Sequence, residues 1–336
     1  MLQKITNSVI DLSIRNILFR ADSSSLIGTG HIMRDLVLAA QIKKKLPQAT
    51  IYFATKNLPG NINYKILQQE YSLINILEDS KNELHNIALQ NSIDFIIIDH
   101  YQIDINTEKY LSRLCDVLVF DDEFNDHNAK WVLNHSFTAQ REEYNYLKES
   151  KILAGAQYTL LDDSFISKKH LYTPVNRLDN KSILITLGGS DPLYLSMKIK
   201  KYLLNNYTNI KVTIVTTHSN KRINYIKAVD KGTIINEERM SNLMQKYDLI
   251  ITSASTSLLE TFALKKPFIA IKCASNQAKT VDLLKKYNLD NVIEKFNFAS
   301  LKKALNFVQY QPRKIKEILQ KYKFEHDGVI QEIING

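Results

Sequence analysis

Cysteine is nearly absent from this 336-residue chain; only Cys115 and Cys273 occur, far apart and each within or beside an apolar run. Two such residues cannot form a disulfide framework or a cysteine-rich metal site, and they read as buried thiols in a reducing compartment. Long hydrophobic runs are missing as well. No stretch reaches the roughly eighteen apolar residues a membrane-spanning helix needs, so no membrane span is expected. The opening residues, Met1 to Ile14, lack the charged-then-apolar order of a secretory signal. The cytoplasm is therefore the expected location. Dense charge of one sign is also lacking. Lys+Arg 44 against Asp+Glu 35 gives +9, but the basic residues are spread along the chain in short clusters such as Lys43-Lys44-Lys45. Without a basic stripe, nucleic acid is not an expected partner. Diffuse positive charge suits a small polyanionic substrate, and it is also ordinary surface decoration.

What is present is ordinary for a soluble globular protein: 44% hydrophobic and 24% charged residues, at a length that suits two domains. Apolar runs rich in β-branched residues alternate with helix-period segments throughout, which predicts an α/β fold with parallel sheets. In the first half the predicted strands are Ile17–Arg20, Thr50–Ala54, Leu73–Leu77, Phe95–Asp99, Val117–Asp121 and Trp131–Asn134. The pattern restarts at Ser182–Leu187 and continues through Lys211–Val215, Thr233–Ile235, Leu249–Thr252 and Pro267–Ile271. Only helical segments are expected after that. Between the halves, 166–180 is polar and holds Pro174, which reads as a linker. The expected architecture is two Rossmann-like domains facing a central cleft, 1–165 and 181–336.

The most informative stretch runs from Arg20 to Arg34, Arg-Ala-Asp-Ser-Ser-Ser-Leu-Ile-Gly-Thr-Gly-His-Ile-Met-Arg. It follows a strand and opens a helix. Gly28 and Gly30 permit a sharp turn pressed against a ligand. His31 falls in the first helical turn, where the free N–H groups disfavour added positive charge, so a neutral imidazole could serve as a general base. Capping or packing is the alternative role. The strand ends Asp99-His100-Tyr101 and Asp121-Asp122 should reach the same crevice, because open α/β sheets bind ligands at strand carboxyl ends. Helix or turn capping is the alternative for Asp99 and Asp121.

The second half has a turn of its own, Leu187-Gly188-Gly189-Ser190-Asp191, suited to a diphosphate but matching neither the P-loop nor the dinucleotide fingerprint. Ser253-Ala254-Ser255-Thr256-Ser257 then ends a strand in small residues before a helix bearing Glu260. Hydroxyls and N–H groups there can hold phosphate, and the carboxylate can accept both hydroxyls of a ribose. A serine N-cap with an exposed glutamate is the alternative.

Together these motifs resemble the UDP-2,4-diacetamido-2,4,6-trideoxy-β-L-altropyranose hydrolases of pseudaminic acid synthesis, relatives of the peptidoglycan N-acetylglucosaminyltransferase. The resemblance runs from about Ile17 to the C-terminus. It rests most specifically on Arg20, Asp22, Ser24, Gly28, Gly30, His31 and Arg34. Asp99-His100-Tyr101, Asp121-Asp122, Asn134, Gly155…Tyr158…Leu160-Leu161, Gly188–Asp191, Ser253-Ala254-Ser255…Glu260 and Asn276-Gln277 match as well. It implies a glycosyltransferase-B-like fold used for metal-free hydrolysis, with His31 as base and Glu260 on the UDP ribose. Two departures stand out: Gln102 where the family commonly has glycine, and Asp162 where it commonly has arginine.

The mechanism this suggests is water attack at the anomeric carbon with inversion, releasing UDP. His31 would take the proton, oriented by Asp22 or Asp99. Backbone N–H groups at Gly188–Ser190 and around Ser255–Ser257 would stabilise the diphosphate. Tyr101, Asn134 and Tyr158 would hold the sugar, Gly28, Gly30 and Arg34 would also bind substrate, Asn276-Gln277 would hold the uridine, and Asn176, in the linker at the cleft edge, would touch the nucleotide. No cofactor is expected, and a monomer is the default. A glycosyltransferase with an acceptor hydroxyl in place of water is the nearest rival; the apolar Ile5–Ile14 stretch could serve such an acceptor. A non-catalytic nucleotide-sugar sensor would not need His31.

Overall fold

The structure, a computed structural model, describes residues 14–167, 170–217, 220–229, 232–235, 240–325 and 327–335. The Ile5–Ile14 stretch thus lies almost wholly outside the described residues. Two compact units emerge, one running to Leu160 with Glu325 onward added, the other Leu161–Phe324.

The first unit is built on a seven-stranded sheet: β1 (Asn16–Ala21), β2 (Thr50–Thr55), β3 (Ser72–Asn75), β4 (Phe95–Asp99), β5 (Asp116–Phe120), β6 (Trp131–Asn134) and β7 (Lys151–Ala154). Its order is β3-β2-β1-β4-β5-β6-β7 and every pairing is parallel. Ile96, Ile97 and Ile98 explain the centre of this sheet: a strand covered on both faces can be apolar at consecutive positions, and β-branched side chains fit the pleat. The order reverses between β1 and β4, whose register sets Ala21 opposite Asp99. The loops leaving these two strands therefore emerge side by side, at the place where such sheets bind ligands.

The second unit repeats the design with β8 (Ser182–Thr186), β9 (Lys211–Thr216), β10 (Ile234–Ile235), β11 (Leu249–Ser253), β12 (Phe268–Ile271) and β13 (Val292–Ile293), in the order β10-β9-β8-β11-β12-β13. Its reversal falls between β8 and β11, where Thr186 pairs with Thr252. The glycine turn after β8 and the serine-rich turn after β11 thus share one edge.

Three sequence expectations change. β7 joins the first sheet beside β6, and β13 joins the second beside β12, so the residues after β12 are not helical throughout. Both strands are too short for their alternation to stand out from helical context. The last helix, Gly328–Ile334, groups with the first unit and not the second, because Val329, Ile330 and Ile333 pack into the core around β1. The polar 166–180 stretch falls within the second unit and anchors itself through buried Val175 and Leu178. Cys273 is buried and Cys115 half-buried, both as free thiols. Among the described residues no helix is long and apolar enough to cross a membrane.

Candidate functional site

In the first unit the helix Gly30–Lys45 begins directly after the glycine loop, and residues one turn apart on it share a face. His31 and Arg34 use that face to reach Asp99 at the end of β4. Nδ1 of His31 stands 2.6 Å from Asp99 Oδ1 and 3.1 Å from the Asp99 carbonyl. Both neighbours are acceptors, so Nδ1 carries the hydrogen and Nε2 is left as the basic nitrogen. Arg34 donates from Nε and Nη2 to the same carboxylate, and from Nη1 to Asp122 at 2.8 Å. Burial alone would raise Asp99, but the charge and fork of Arg34, with His31 adding to them, hold it well below the usual carboxylate range. The Tyr101 hydroxyl donates to Asp122 at 3.1 Å, and its ring meets the His31 imidazole edge-on at 5.0 Å. Tyr101 is largely exposed beside this buried network. The loop needs its glycine: Gly28 has φ +89 and exchanges two backbone hydrogen bonds with Ser24, of 2.8 and 3.1 Å.

Asp22 belongs to a separate network. It takes two hydrogen bonds from Arg20, at 2.8 and 2.7 Å, and one from the Lys56 backbone at 2.7 Å. His100 Nε2 stands 3.2 Å away, while its Nδ1 accepts from the Gln102 backbone. Asp22, Asp79 and His100 form a group with metal-ligand chemistry among the described residues, yet the Arg20 guanidinium and the Lys56 ammonium both bond to Asp79. The carboxylates are already neutralised. Asp99, not Asp22, therefore meets the His31 imidazole.

In the second unit Gly188 turns with φ +78 after β8. The carbonyl of Gly189 accepts from the Thr216 and Thr217 hydroxyls at 2.9 and 3.0 Å, and a Cβ there would stand 2.7 Å from Thr217 Oγ1. Asp191 caps the following helix through the Leu195 and Ser196 N–H groups, while Ser190 is exposed. Ser255 opens the helix Thr256–Ala263 and shares a 2.7 Å hydrogen bond with Ser253, leaving that helix start without a side-chain cap. Glu260 from this helix lines a hollow of about 130 Å³ with Thr186, Gly188, Gly189, Thr216 and Ser257. Burial, helped by the charge of Asp162, pushes the Glu260 carboxyl up to about 8. Two strand ends thus put a glycine turn, an uncapped helix start and a carboxylate around one hollow, an arrangement chemically able to meet an anion and a pair of hydroxyls.

Comparison with known proteins shows the family and the fold. No protein-family model matches the chain. It is 32% identical over 279 residues to the UDP-2,4-diacetamido-2,4,6-trideoxy-β-L-altropyranose hydrolase of Campylobacter jejuni, covering 80% of this chain and 96% of that one. The chain belongs to that hydrolase family. A Helicobacter pylori protein, named as both pseudaminic acid cytidylyltransferase and the same hydrolase, is 28% identical over 191 residues, 55% of this chain and 35% of its own length. Among solved structures, MurG of Acinetobacter baumannii superposes with a TM-score of 0.62 at 13% identity, covering 96% of this chain and 98% of that one. The fold is that of the GT-B glycosyltransferases.

Other residues expected at the site have contacts or exposures of their own. Asn134 is buried, its amide donating to Tyr144 at 2.9 Å and accepting from the Ser136 backbone at 3.1 Å. The Tyr158 hydroxyl donates to Glu332 of the last helix at 3.0 Å. Gln277 accepts the Cys273 N–H at 2.8 Å and pins the loop after β12; Asn276 and Asn176 are exposed. Asp121 accepts three backbone N–H groups, from Glu123, Phe124 and Asn125, so it caps a turn. Two residues escaped sequence reasoning. His135, just past β6, lies edge-on to Phe120 at 6.3 Å, the ring whose face Arg34 covers at 4.7 Å. Burial and the Arg34 charge push His135 down to about 4. Asp35 is fully buried beside Arg34. Only the parallel order of β4, β5 and β6 brings Asp99, Asp122 and His135 to one edge, and spacing along the chain does not reveal it.

Proposed function

We propose that this protein hydrolyses UDP-2,4-diacetamido-2,4,6-trideoxy-β-L-altrose to UDP and the free sugar. A water attacks the anomeric carbon from the face opposite the diphosphate; the bond from that carbon to the UDP oxygen breaks, and the configuration inverts. Nε2 of His31 takes the proton that the water loses. The resulting imidazolium forms against Asp99, which Arg34 holds ionised and in place. Negative charge arriving on the UDP oxygen is met by backbone N–H groups at Gly188–Ser190 and at the start of the helix Thr256–Ala263, without a divalent cation. Glu260 accepts the ribose hydroxyls, and Tyr101 lies against the sugar. The enzyme works in the cytoplasm as a monomer with no cofactor.

The observation that carries this reading is the 2.6 Å contact of His31 Nδ1 with Asp99 in a chain of this family. The GT-B neighbours support a second reading, a transferase in which His31 deprotonates an acceptor hydroxyl. ³¹P NMR of the purified protein with the UDP-sugar, EDTA and no acceptor separates the two. Hydrolysis predicts UDP and free sugar, lost in His31→Ala. Intact, bound UDP-sugar would favour the transferase.

A further inference from the structure

Strand register brings Tyr101 and Asp122 together. β4 and β5 pair in parallel with Ile98 opposite Val119, and Tyr101 and Asp122 each lie three residues beyond that pair. Asp121, bound to three backbone N–H groups, fixes the turn that carries Asp122. Tyr101 is 56% exposed, and a side chain so exposed ordinarily moves between rotamers. Here two contacts hold it: its ring lies edge-on to His31 at 5.0 Å, and its hydroxyl donates to Asp122 Oδ2 at 3.1 Å. The same Oδ2 accepts from Arg34 Nη1 at 2.8 Å. Contacts therefore run in a closed ring, from His31 through Asp99, Arg34 and Asp122 to Tyr101 and back to His31.

We propose that Asp122 is a positioning residue for Tyr101: by accepting the phenol hydrogen bond it holds the ring beside His31 and leaves the hydroxyl oxygen to the sugar as an acceptor only. The inference rests on the reading that Tyr101 lies against the sugar. A hydroxyl has one hydrogen to give, and this one is given to Asp122. Any sugar group that pairs with the oxygen must then be a donor. The two acetamido N–H groups and the free ring hydroxyl of the proposed substrate are donors; an ether or methyl group at the same point is not. The frame thus selects a sugar by its N–H or O–H groups, apart from the UDP half of the ligand.

Charge fixes the direction of the bond. Burial alone would raise the Asp122 carboxyl, but the charge and hydrogen bond of Arg34 hold it below its ordinary range. Burial, and after it the Asp122 charge, raise the Tyr101 phenol. An ionised carboxylate accepts and a protonated phenol donates. Arg34 also bonds Asp99 through Nε and Nη2, so removing the Asp122 carboxylate releases Tyr101 while the partner of His31 stays in place.

The test compares wild type with Asp122→Ala, Asp122→Asn, Tyr101→Phe and the double variant Tyr101→Phe/Asp122→Ala, by KM and kcat for the UDP-sugar and Kd for UDP alone. Asp122→Ala and Tyr101→Phe should each raise KM about five- to tenfold, the weight of one hydrogen bond, with kcat within about threefold of wild type. The losses should not multiply: the double variant should match Asp122→Ala within about twofold. Asp122→Asn keeps an oxygen for both Arg34 and Tyr101, so its KM should stay within about threefold of wild type. Kd for UDP should hold within about twofold throughout. The tyrosine Raman doublet, taken as wild type minus Tyr101→Phe, should be that of a phenol donating to a carboxylate. Losses that multiply, Asp122→Asn as damaging as Asp122→Ala, UDP affinity falling in step with KM, or the doublet of a phenol that does not donate would each overturn the proposal. The Raman difference needs neither substrate nor an Asp122 variant, so it still decides if Asp122→Ala fails to fold. In a chain that binds the UDP-sugar without hydrolysing it, Kd of the intact sugar nucleotide replaces KM, which separates failure of the hydrolase reading from failure of this one.

Discussion

Replacing Asp99 with Asn removes one charge and almost no volume. In the wild type that carboxylate meets His31 Nδ1 at 2.6 Å and takes the fork of Arg34. When His31 accepts a proton, the new imidazolium forms against a full negative charge. Unit charges about 4 Å apart attract by about 4 kcal/mol at an effective dielectric near 20. An amide oxygen in the same place retains a hydrogen bond of roughly 1 kcal/mol. The transition state should therefore lose about 2–3 kcal/mol, a fall in kcat of roughly 30- to 150-fold. Arg34 keeps Asp122 at 2.8 Å, so the variant should fold with a stability loss of about 2–3 kcal/mol. Steady-state UDP release gives kcat, and calorimetric titration with UDP on the same preparation gives Kd. Because the proposed UDP ligands all lie in the other unit, Kd should stay within about twofold while kcat falls. A kcat within about threefold of wild type, or Kd weakening in step with kcat, would refute the reasoning.

Three further predictions concern stability and binding. The native environment raises the Asp35 carboxyl, so its contribution to stability is full below the unfolded-state value and is lost as pH rises toward the folded one. Asp35→Asn should consequently gain on wild type in chemical denaturation as pH rises above the ordinary carboxylate range, by up to about 1.4 kcal/mol per pH unit, and a flat difference would contradict burial of the acid. Glu260 titrates near 8, so UDP affinity should rise from pH 6 to 9 in calorimetry. Asp162→Asn should move that rise to lower pH, and Glu260→Gln should flatten it with a loss of about tenfold or more at pH 9. A Cβ on Gly328 would stand 2.3 Å from the Gln157 carbonyl, so Gly328→Ala should shift the last helix and cost about 1–3 kcal/mol; an unchanged denaturation midpoint would argue against this packing.

Much of this fold was legible in the sequence because buried parallel strands need consecutive β-branched residues, as in Ile96-Ile97-Ile98, and because glycine loops announce the strand-to-helix turns. Short edge strands carry less of that signal, and β7 and β13 were missed for that reason. The last helix has an ordinary amphipathic pattern that cannot say which core will receive it. At the candidate site, residue type pointed to His31, Arg34 and Asp99, and the parallel register then joined them. Asp22 looked equally suitable in sequence. Its distinction from Asp99 lies in which cation each carboxylate meets, Arg20 or Arg34, and that depends on strand order. Asp35 and His135 carry no motif; their interest comes from burial beside Arg34, a property of the packed state. Asn134 and Tyr158 match a family pattern, and the hydrogen bonds they make to Tyr144, Ser136 and Glu332 come from the packed state, not from that pattern.

The most direct test follows the oxygen. Wild type and His31→Ala are given UDP-2,4-diacetamido-2,4,6-trideoxy-β-L-altrose in ¹⁸O water with EDTA, and the products are weighed by mass spectrometry. Hydrolysis at the anomeric carbon with His31 as base predicts label on the sugar, none on UDP, and turnover in the wild type alone. Label on the released UDP, or undiminished turnover by His31→Ala, would contradict it.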